Sequence, residues 1–164
     1  YVTHKENSAY TTRKRTQNIL NLKIEEYEAY LDTDKPYEKF RKAVISHRKE
    51  MRKLITDIVL TQGKTIHICG ASTKLNTILN YCDIGPDLIP FASERSPEKH
   101  GAETISGIKL ISEEDSRAMN PDYYLVGPYH FKDEIIKRES EFIQNGGGFI
   151  FPLPELTVIT KNNL

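Results

Sequence analysis

The feature of this sequence that most limits its fold is a regular alternation of short apolar runs and helix-like runs after residue 63. Runs rich in Ile, Val, Phe and Tyr are typical of buried strands, and the segments between them carry apolar residues at helical spacing. Strands alternating with helices of this length predict a mostly parallel sheet covered on both faces, a Rossmann-like three-layer α/β domain. We predict strands at 65–69, 87–92, 108–111, 122–126 and 149–151, an edge strand at 157–160, and helices at 74–81, 113–119 and 131–144.

Two helices are predicted before the α/β region. Apolar residues at helical spacing indicate a first helix over residues 19–31 and a second one that begins near Pro36 and ends at Gly63. Residues 1–7 are typical of the end of a strand, and residues 11–15 of a basic loop. We therefore divide the chain into a strand end with a linker, a helical segment packed on the α/β domain, and the α/β domain itself: residues 1–18, 19–63 and 64–164.

The composition argues against several classes of protein. The 164 residues carry 23 Lys+Arg and 23 Asp+Glu, so the chain lacks the strongly basic character of most nucleic-acid-binding domains. The sequence has no apolar run near the ~20 residues that cross a bilayer, so we expect neither a nucleic acid nor a membrane as a partner. Cys69 and Cys82 stand in no metal-ligand spacing, which predicts reduced thiols in a cytoplasmic protein.

The first turn from strand to helix is the first candidate site, because open parallel sheets bind ligands at the carboxyl ends of their strands. Gly70 permits a tight turn, and the small side chains that follow leave backbone N–H groups open to an anion such as a diphosphate, to which Lys74 would add a charge. The turn is neither a Walker A motif nor a complete GxGxxG, so a plain compact turn is the alternative. The candidate binding residues are Gly70, Ala71, Ser72, Lys74 and Asn76.

A second candidate cluster follows the predicted strand 87–92 and contains Glu94, Arg95 and Lys99. Glu94 follows Gly70 at close to the offset of ~20 residues at which an acidic side chain binds a ribose hydroxyl in dinucleotide sites. The same three residues would also fit a local network of ion pairs.

A third candidate cluster follows the strand 122–126 and contains Tyr129 and His130. Tyr129 would stack on a ring, and His130 would hydrogen-bond a sugar or a phosphate. The alternative is an aromatic side chain that packs beneath a helix cap. The sequence shows no Ser/His/Asp set, metal-ligand spacing or carboxylate pair; we expect His67 to be a satisfied core residue and His47 to face outward.

Four segments resemble, in order and spacing, the C-terminal domain of the sugar C-methyltransferase family: residues 70–81, 94–101, 121–135 and 147–154. Members of this family use S-adenosylmethionine to methylate a carbon of a nucleotide-linked deoxysugar. The resemblance implies a substrate-binding domain that is not catalytic alone and contacts the nucleotide-linked sugar through the three clusters above. It also implies that residues 1–18 include the end of an upstream methyltransferase domain. This chain would then bind no cofactor, and S-adenosylmethionine and a structural zinc would belong to the full-length protein.

The sequence departs from the family pattern at several positions in and near the expected site. Leu75 stands where the family usually has Gly and would crowd the approach of a phosphate to the backbone. Glu94 replaces Asp, Ser106 replaces Pro, and Tyr129 and His130 replace Trp and Asn. These changes indicate either a different substrate or a phosphate site that has decayed. Two alternative functions remain, an NAD(P)-binding module of an oxidoreductase and a noncatalytic interaction domain.

Overall fold

The fold is known from a computed structural model that describes residues 13–164, with side chains from residue 16 onward. Over this range, α-helices and short β-strands alternate after the first two helices. The helices are α1 (Arg13–Glu28), α2 (Lys35–Thr56), α3 (Thr73–Cys82), α4 (Glu113–Ala118), α5 (Lys132–Arg138) and α6 (Ser140–Gln144). The strands are β1 (Ile66–Cys69), β2 (Phe91–Glu94), β3 (Lys109–Ser112), β4 (Tyr123–Val126), β5 (Gly148–Phe151) and β6 (Thr157–Ile159).

The strands of residues 13–164 form one sheet in the order β3-β2-β1-β4-β5-β6. All neighbouring pairs are parallel except β5 and β6, which are antiparallel. The chain moves outward from β1 to β3 and then returns to place β4 on the other side of β1, so the strand order reverses between β1 and β4. This order is that of the doubly wound dinucleotide-binding fold, and the predicted α/β fold class is confirmed.

Each face of the sheet carries its own apolar layer. On one face, Ile66, Ile68 and Leu125 pack with buried side chains of α2 and α3, including Met51 and Leu79. On the other face, aromatic side chains of β4 and β5 pack with buried residues of α5 and α6. Because side chains alternate between the faces of a strand, short apolar strands serve both layers. The result is the expected three-layer arrangement.

The second strand begins four residues later than predicted, at Phe91 rather than at residue 87. Leu88 and Ile89 gave the segment its strand-like pattern, and both are buried. Their amides donate to the carbonyl oxygen of Gly85 at 3.1 and 3.0 Å, so they belong to a turn that inserts apolar side chains into the core. Pro90 ends this turn before β2 begins.

Two helix predictions are also corrected. The single helix expected over residues 131–144 is interrupted at Glu139, whose φ of −102° and ψ of 24° leave the helical region between α5 and α6. The basic residues Arg13–Arg15, expected in a loop, begin α1. The strand end expected at residues 1–7 lies outside the described residues.

Helix α2 begins as predicted, with Pro36 in its first turn. It is continued by a π-helical turn over Asp57–Thr61, and Gly63 follows with a φ of +65°. The contacts of the backbone group the chain into two compact units, Tyr1–Ile45 and Ser46–Leu164. The second unit contains the whole sheet and both apolar layers.

Candidate functional site

The turn between β1 and α3 has the tight geometry that its sequence predicts. Gly70 adopts a φ of +78°, a region that suits glycine. Its amide donates to the Ser93 carbonyl at 3.1 Å, and the Ser72 amide donates to the Gly70 carbonyl at 2.9 Å. Ser72 caps α3 by accepting from the Leu75 amide at 3.2 Å. Within the described residues, only the amides of Ala71, Thr73 and Lys74 are left in this turn without a partner.

Leu75 does not obstruct the turn, although the sequence suggested that it would. Its side chain is 1% exposed and lies in the core beneath α3. Pro128 lies close to the turn instead, since its Cδ would be 3.0 Å from a β-carbon built on Gly70. The helix therefore directs its bulky residue inward and leaves a hollow beside the turn.

This hollow is a cavity of about 400 Å³ at the carboxyl ends of β1, β2 and β4. It lies at the point where the strand order reverses, which is the usual ligand position in open α/β sheets. Its walls come from the ends of these strands, from the start of α4 and from one side of α5. The lining residues are Cys69, Gly70, Ser93, Glu94, Arg95, Glu113, Pro128, Phe131, Glu134, Ile135 and Arg138.

The cavity brings together three of the ten candidate binding residues, Gly70, Glu94 and Arg95. Ala71, Ser72, Lys74 and Asn76 belong to the same turn but do not line it. Lys99 reaches the cavity only through its ion pair with Glu94, at 3.4 Å. Tyr129 is half-buried against the second apolar layer, as the packing alternative expects, and His130 is exposed outside the cavity.

The carboxylate of Glu94 stabilises the loop that follows β2. Oε1 accepts from the amides of Arg95 and Ser96 at 2.9 and 3.1 Å, and Oε2 pairs with Lys99. The local network that the sequence suggested is therefore present. Because a carboxylate accepts about four hydrogen bonds, a ribose role for Glu94 stays a prediction.

Two arginines give the cavity its positive charge, and each is fixed by a glutamate. Arg95 Nε donates to Glu113 Oε1 at 3.0 Å, and Arg138 Nε donates to Glu139 Oε1 at 2.8 Å. The Glu113 contact raises the pKa of Arg95 above its ordinary value, so Arg95 stays charged. Glu139, at the break between α5 and α6, also accepts from Arg117 at 2.8 Å.

The contribution of α5 to this cavity was not predicted from the sequence. Helix α5 follows β4 after a short 3₁₀ turn, and Phe131 stands at its N-cap. The four lining residues of this segment recur at steps of three and four and so share one face: Phe131, Glu134, Ile135 and Arg138. That spacing, together with the position of the helix after a carboxyl edge, was the available signal. A further wall residue that was not predicted, Glu113, begins α4 directly after β3.

Cys69, which lines the cavity, and His67, which precedes it by two residues in β1, are not poised for catalysis. Burial raises the pKa of the Cys69 thiol to about 11, because its effect outweighs the opposite effect of the Arg138 charge. This thiol is therefore protonated at neutral pH. His67 is buried, with Nδ1 2.9 Å from the Ser116 hydroxyl, which in turn lies 3.1 Å from the Tyr124 hydroxyl. Burial lowers the pKa of His67, so its ring is neutral at neutral pH. His67 is thus the satisfied core residue that we expected.

His47 differs from its prediction. Its ring is half-buried, with Nε2 2.5 Å from the Pro152 carbonyl oxygen, so it does not simply face outward. Among the described side chains, no three His, Cys, Asp or Glu residues converge on a point where a metal ion would bind. None of the helices in residues 13–164 is both long and apolar enough to cross a bilayer.

The strand order, with a cavity at its reversal, defines an α/β domain of the Rossmann-like class. Comparison with known protein families is more specific: the profile of the C-methyltransferase C-terminal domain matches residues 1–154. The chain belongs to this family, and the resemblance noted in the sequence is confirmed.

A curated relative is the C-methyltransferase NovU of Streptomyces niveus, which is 37% identical over 118 residues. The match covers 71% of this chain but only 28% of the relative. The chain therefore spans little more than a quarter of the length of that C-methyltransferase.

Proposed function

We propose that this chain is the substrate-binding part of a larger S-adenosylmethionine-dependent C-methyltransferase and that it holds a nucleotide-linked sugar at the carboxyl edge of its sheet. The observation that carries the proposal is the cavity at the strand reversal, with Gly70 and two arginines on its walls. Its volume of about 400 Å³ is within the ~300–1,000 Å³ of small-molecule sites. Holding the sugar beside a separate methyl donor would accelerate transfer by proximity.

The chemistry of the cavity supports binding rather than catalysis by this chain alone. Deprotonation of a sugar carbon needs a base with a matched pKa. Here the Cys69 thiol is protonated, and Glu94 and Glu113 are engaged in hydrogen bonds and ion pairs. Glu134, the lining carboxylate without such a partner among the described residues, is exposed to solvent and lacks the enclosed surroundings of a catalytic base. We therefore propose that the catalytic groups lie in an upstream methyltransferase domain, of which residues 1–18 include the end. The helical segment would be residues 19–63 and the substrate domain residues 64–164.

S-adenosylmethionine and a structural zinc are assigned in this proposal to the full-length protein and not to this chain. The residues described here do not fit either group well. The carboxylate best placed for a cofactor ribose, Glu94, already closes its own loop, and no metal-ligating cluster is found among the described residues. The free cysteines Cys69 and Cys82 are consistent with a reducing cytoplasmic location, which is part of the proposal.

An NAD(P)-binding module is the second candidate function, because the strand order and the position of Glu94 at the end of β2 are those of dinucleotide sites. The engagement of Glu94 argues against it. A ligand titration separates the two candidates. A ligand that binds only the folded chain stabilises it by RT ln(1 + [L]/Kd), about 2.7 kcal/mol at a hundredfold excess over Kd.

The test is thermal unfolding of the chain with thymidine diphosphate, NAD or S-adenosylmethionine. The proposal expects thymidine diphosphate alone to raise Tm. Cys69→Leu, which fills the cavity floor, should abolish the increase, measured against the variant's own unliganded Tm. Stabilisation by NAD would favour the dinucleotide module, and no response to thymidine diphosphate at millimolar concentration would contradict the proposal.

A further inference from the structure

Two arginines reach the cavity from either side of β1. Arg95 follows β2, which pairs with one edge of β1, and Arg138 ends α5, which follows β4 on the other edge. Both line the same cavity, and both charges act on the pKa of the Cys69 thiol at its floor. The space between them is therefore a position where a ligand would meet two guanidinium groups.

Each of these guanidinium groups is oriented through Nε. Glu113 holds Arg95 and Glu139 holds Arg138, at 3.0 and 2.8 Å. Within the described residues, the terminal nitrogens of both arginines have no partner. An arginine fixed at Nε keeps a planar pair of donors, the geometry that binds phosphate oxygens in a bidentate manner. Because the glutamates already hold the side chains, little conformational entropy is lost when an anion binds.

The carboxylates of the cavity do not all oppose an anion equally. Glu113 is paired with Arg95. Glu94 accepts hydrogen bonds from two backbone amides and forms an ion pair with the Lys99 ammonium group. The Glu134 side chain is exposed, and its carboxylate has no hydrogen-bond partner among the described residues. Glu134 is therefore the group whose charge would weaken the binding of an anion.

We propose that Arg95 and Arg138 form a diphosphate-binding pair that holds the diphosphate link of the nucleotide-linked sugar. The identity of that ligand rests on the proposed function, whereas the anion site rests on the two arginines. The pair differs from the site that the sequence suggested, since Lys74 and the open amides at the start of α3 lie outside the cavity lining.

The experiment titrates the 164-residue chain with inorganic pyrophosphate and with thymidine diphosphate, and follows the arginine Nε–Hε resonances by NMR. Both anions should shift the Nε signals of Arg95 and Arg138. Arg95→Gln and Arg138→Gln should each lower the affinity for both anions about tenfold, as expected for the loss of a charge-assisted contact. Arg138→Lys should lose less anion affinity than Arg138→Gln, because lysine keeps the positive charge although it lacks the planar pair of guanidinium donors.

Two variants provide the controls. Arg117→Gln removes an arginine that also pairs with Glu139 but does not line the cavity, so affinity should stay unchanged. Glu134→Gln should tighten binding several-fold because it removes the opposing charge. The backbone amide spectrum of each variant verifies that it is folded.

The outcomes separate the two proposals. Unchanged affinity in both Gln variants, or a loss confined to Lys74→Gln, would overturn the arginine pair while leaving the nucleotide-sugar function intact. No binding of pyrophosphate by the unmodified chain would also overturn the pair. Binding of pyrophosphate through the arginines without binding of thymidine diphosphate would support the anion site and count against the nucleotide-sugar.

Discussion

A β-carbon added to Gly127 would overlap the carbonyl oxygen of Gly70. The two glycines end neighbouring strands, and the Gly127 amide donates to the Cys69 carbonyl at 2.9 Å. The backbone after β4 is therefore pressed against the turn after β1, at the rim of the cavity. This close approach fixes the position of Pro128, which contacts Gly70 and forms part of the cavity wall.

Gly127→Ala should separate these two turns. We expect the free energy of unfolding to fall by about 1–3 kcal/mol, as overpacking does, and the affinity for thymidine diphosphate to fall with it. The control is Gly146→Ala, at a positive φ of 99° but with nothing within 4 Å of the added carbon, at a position that does not line the cavity. It should lower stability without changing affinity. Urea unfolding and calorimetric titration measure the two effects, and equal losses of affinity in both variants would refute this account.

The buried imidazole of His67 should make stability depend on pH. Burial lowers the pKa of His67 in the folded chain, so the unfolded chain binds a proton at higher pH than the folded one. Stability from this residue is therefore complete above the ordinary histidine pKa of about 6.5 and is lost as the pH falls below it. Urea unfolding between about pH 7.5 and pH 5 should show a decline that is smaller in His67→Gln.

His130→Gln is the matched control for that measurement because it removes an exposed ring. Its stability should change with pH as that of the unmodified chain does. Parallel curves for His67→Gln and the unmodified chain would exclude His67 as the source.

Cys69 should react slowly with iodoacetamide at neutral pH, although it lines an open cavity. The thiolate is the reactive form, and burial raises the pKa of this thiol to about 11. In a Cys82→Ser background, the alkylation rate should keep rising with pH towards that value. Arg138→Gln should slow the reaction further, because Arg138 favours the thiolate. A rate that levels off below about pH 9, the range of an ordinary thiol, would contradict the assignment.

Ser106 and Ser116 should respond in opposite directions to replacement by alanine. The Ser106 hydroxyl is buried and has no hydrogen-bond partner within the described residues, whereas the Ser116 hydroxyl contacts His67 and Tyr124. Ser106→Ala should raise the free energy of unfolding by about 0.5–1 kcal/mol, and Ser116→Ala should lower it by about 1–3 kcal/mol. Urea unfolding of both variants measures these changes, and a loss of stability in Ser106→Ala would contradict the prediction.

The strands were predictable because the periodicity of apolar side chains reflects burial on a sheet. The same reasoning failed where residues are buried but are not part of a strand. Leu88 and Ile89 are the example, since their side chains enter the core from a turn. It also failed at Glu139, where the helical pattern of side chains continues across a break in the backbone.

The candidate site was predictable only in part, for a related reason. Gly70 directly follows β1, Glu94 ends β2 and Arg95 follows it, so the topology alone brings all three to one edge of the sheet. Arg138 reaches the same cavity from the far end of α5, and its position depends on how that helix packs on the sheet. Local sequence carries no direct record of such packing.

The reversed direction of β6 has a practical consequence for binding measurements. Because β6 runs antiparallel to β5, it leads the chain back to the amino edge of the sheet, opposite the cavity mouth. Asn163 holds the segment after β6 in place through Thr160 and Val158. A biotin attached beyond Leu164 would therefore anchor the molecule to a sensor chip with its ligand entrance turned towards the flowing buffer.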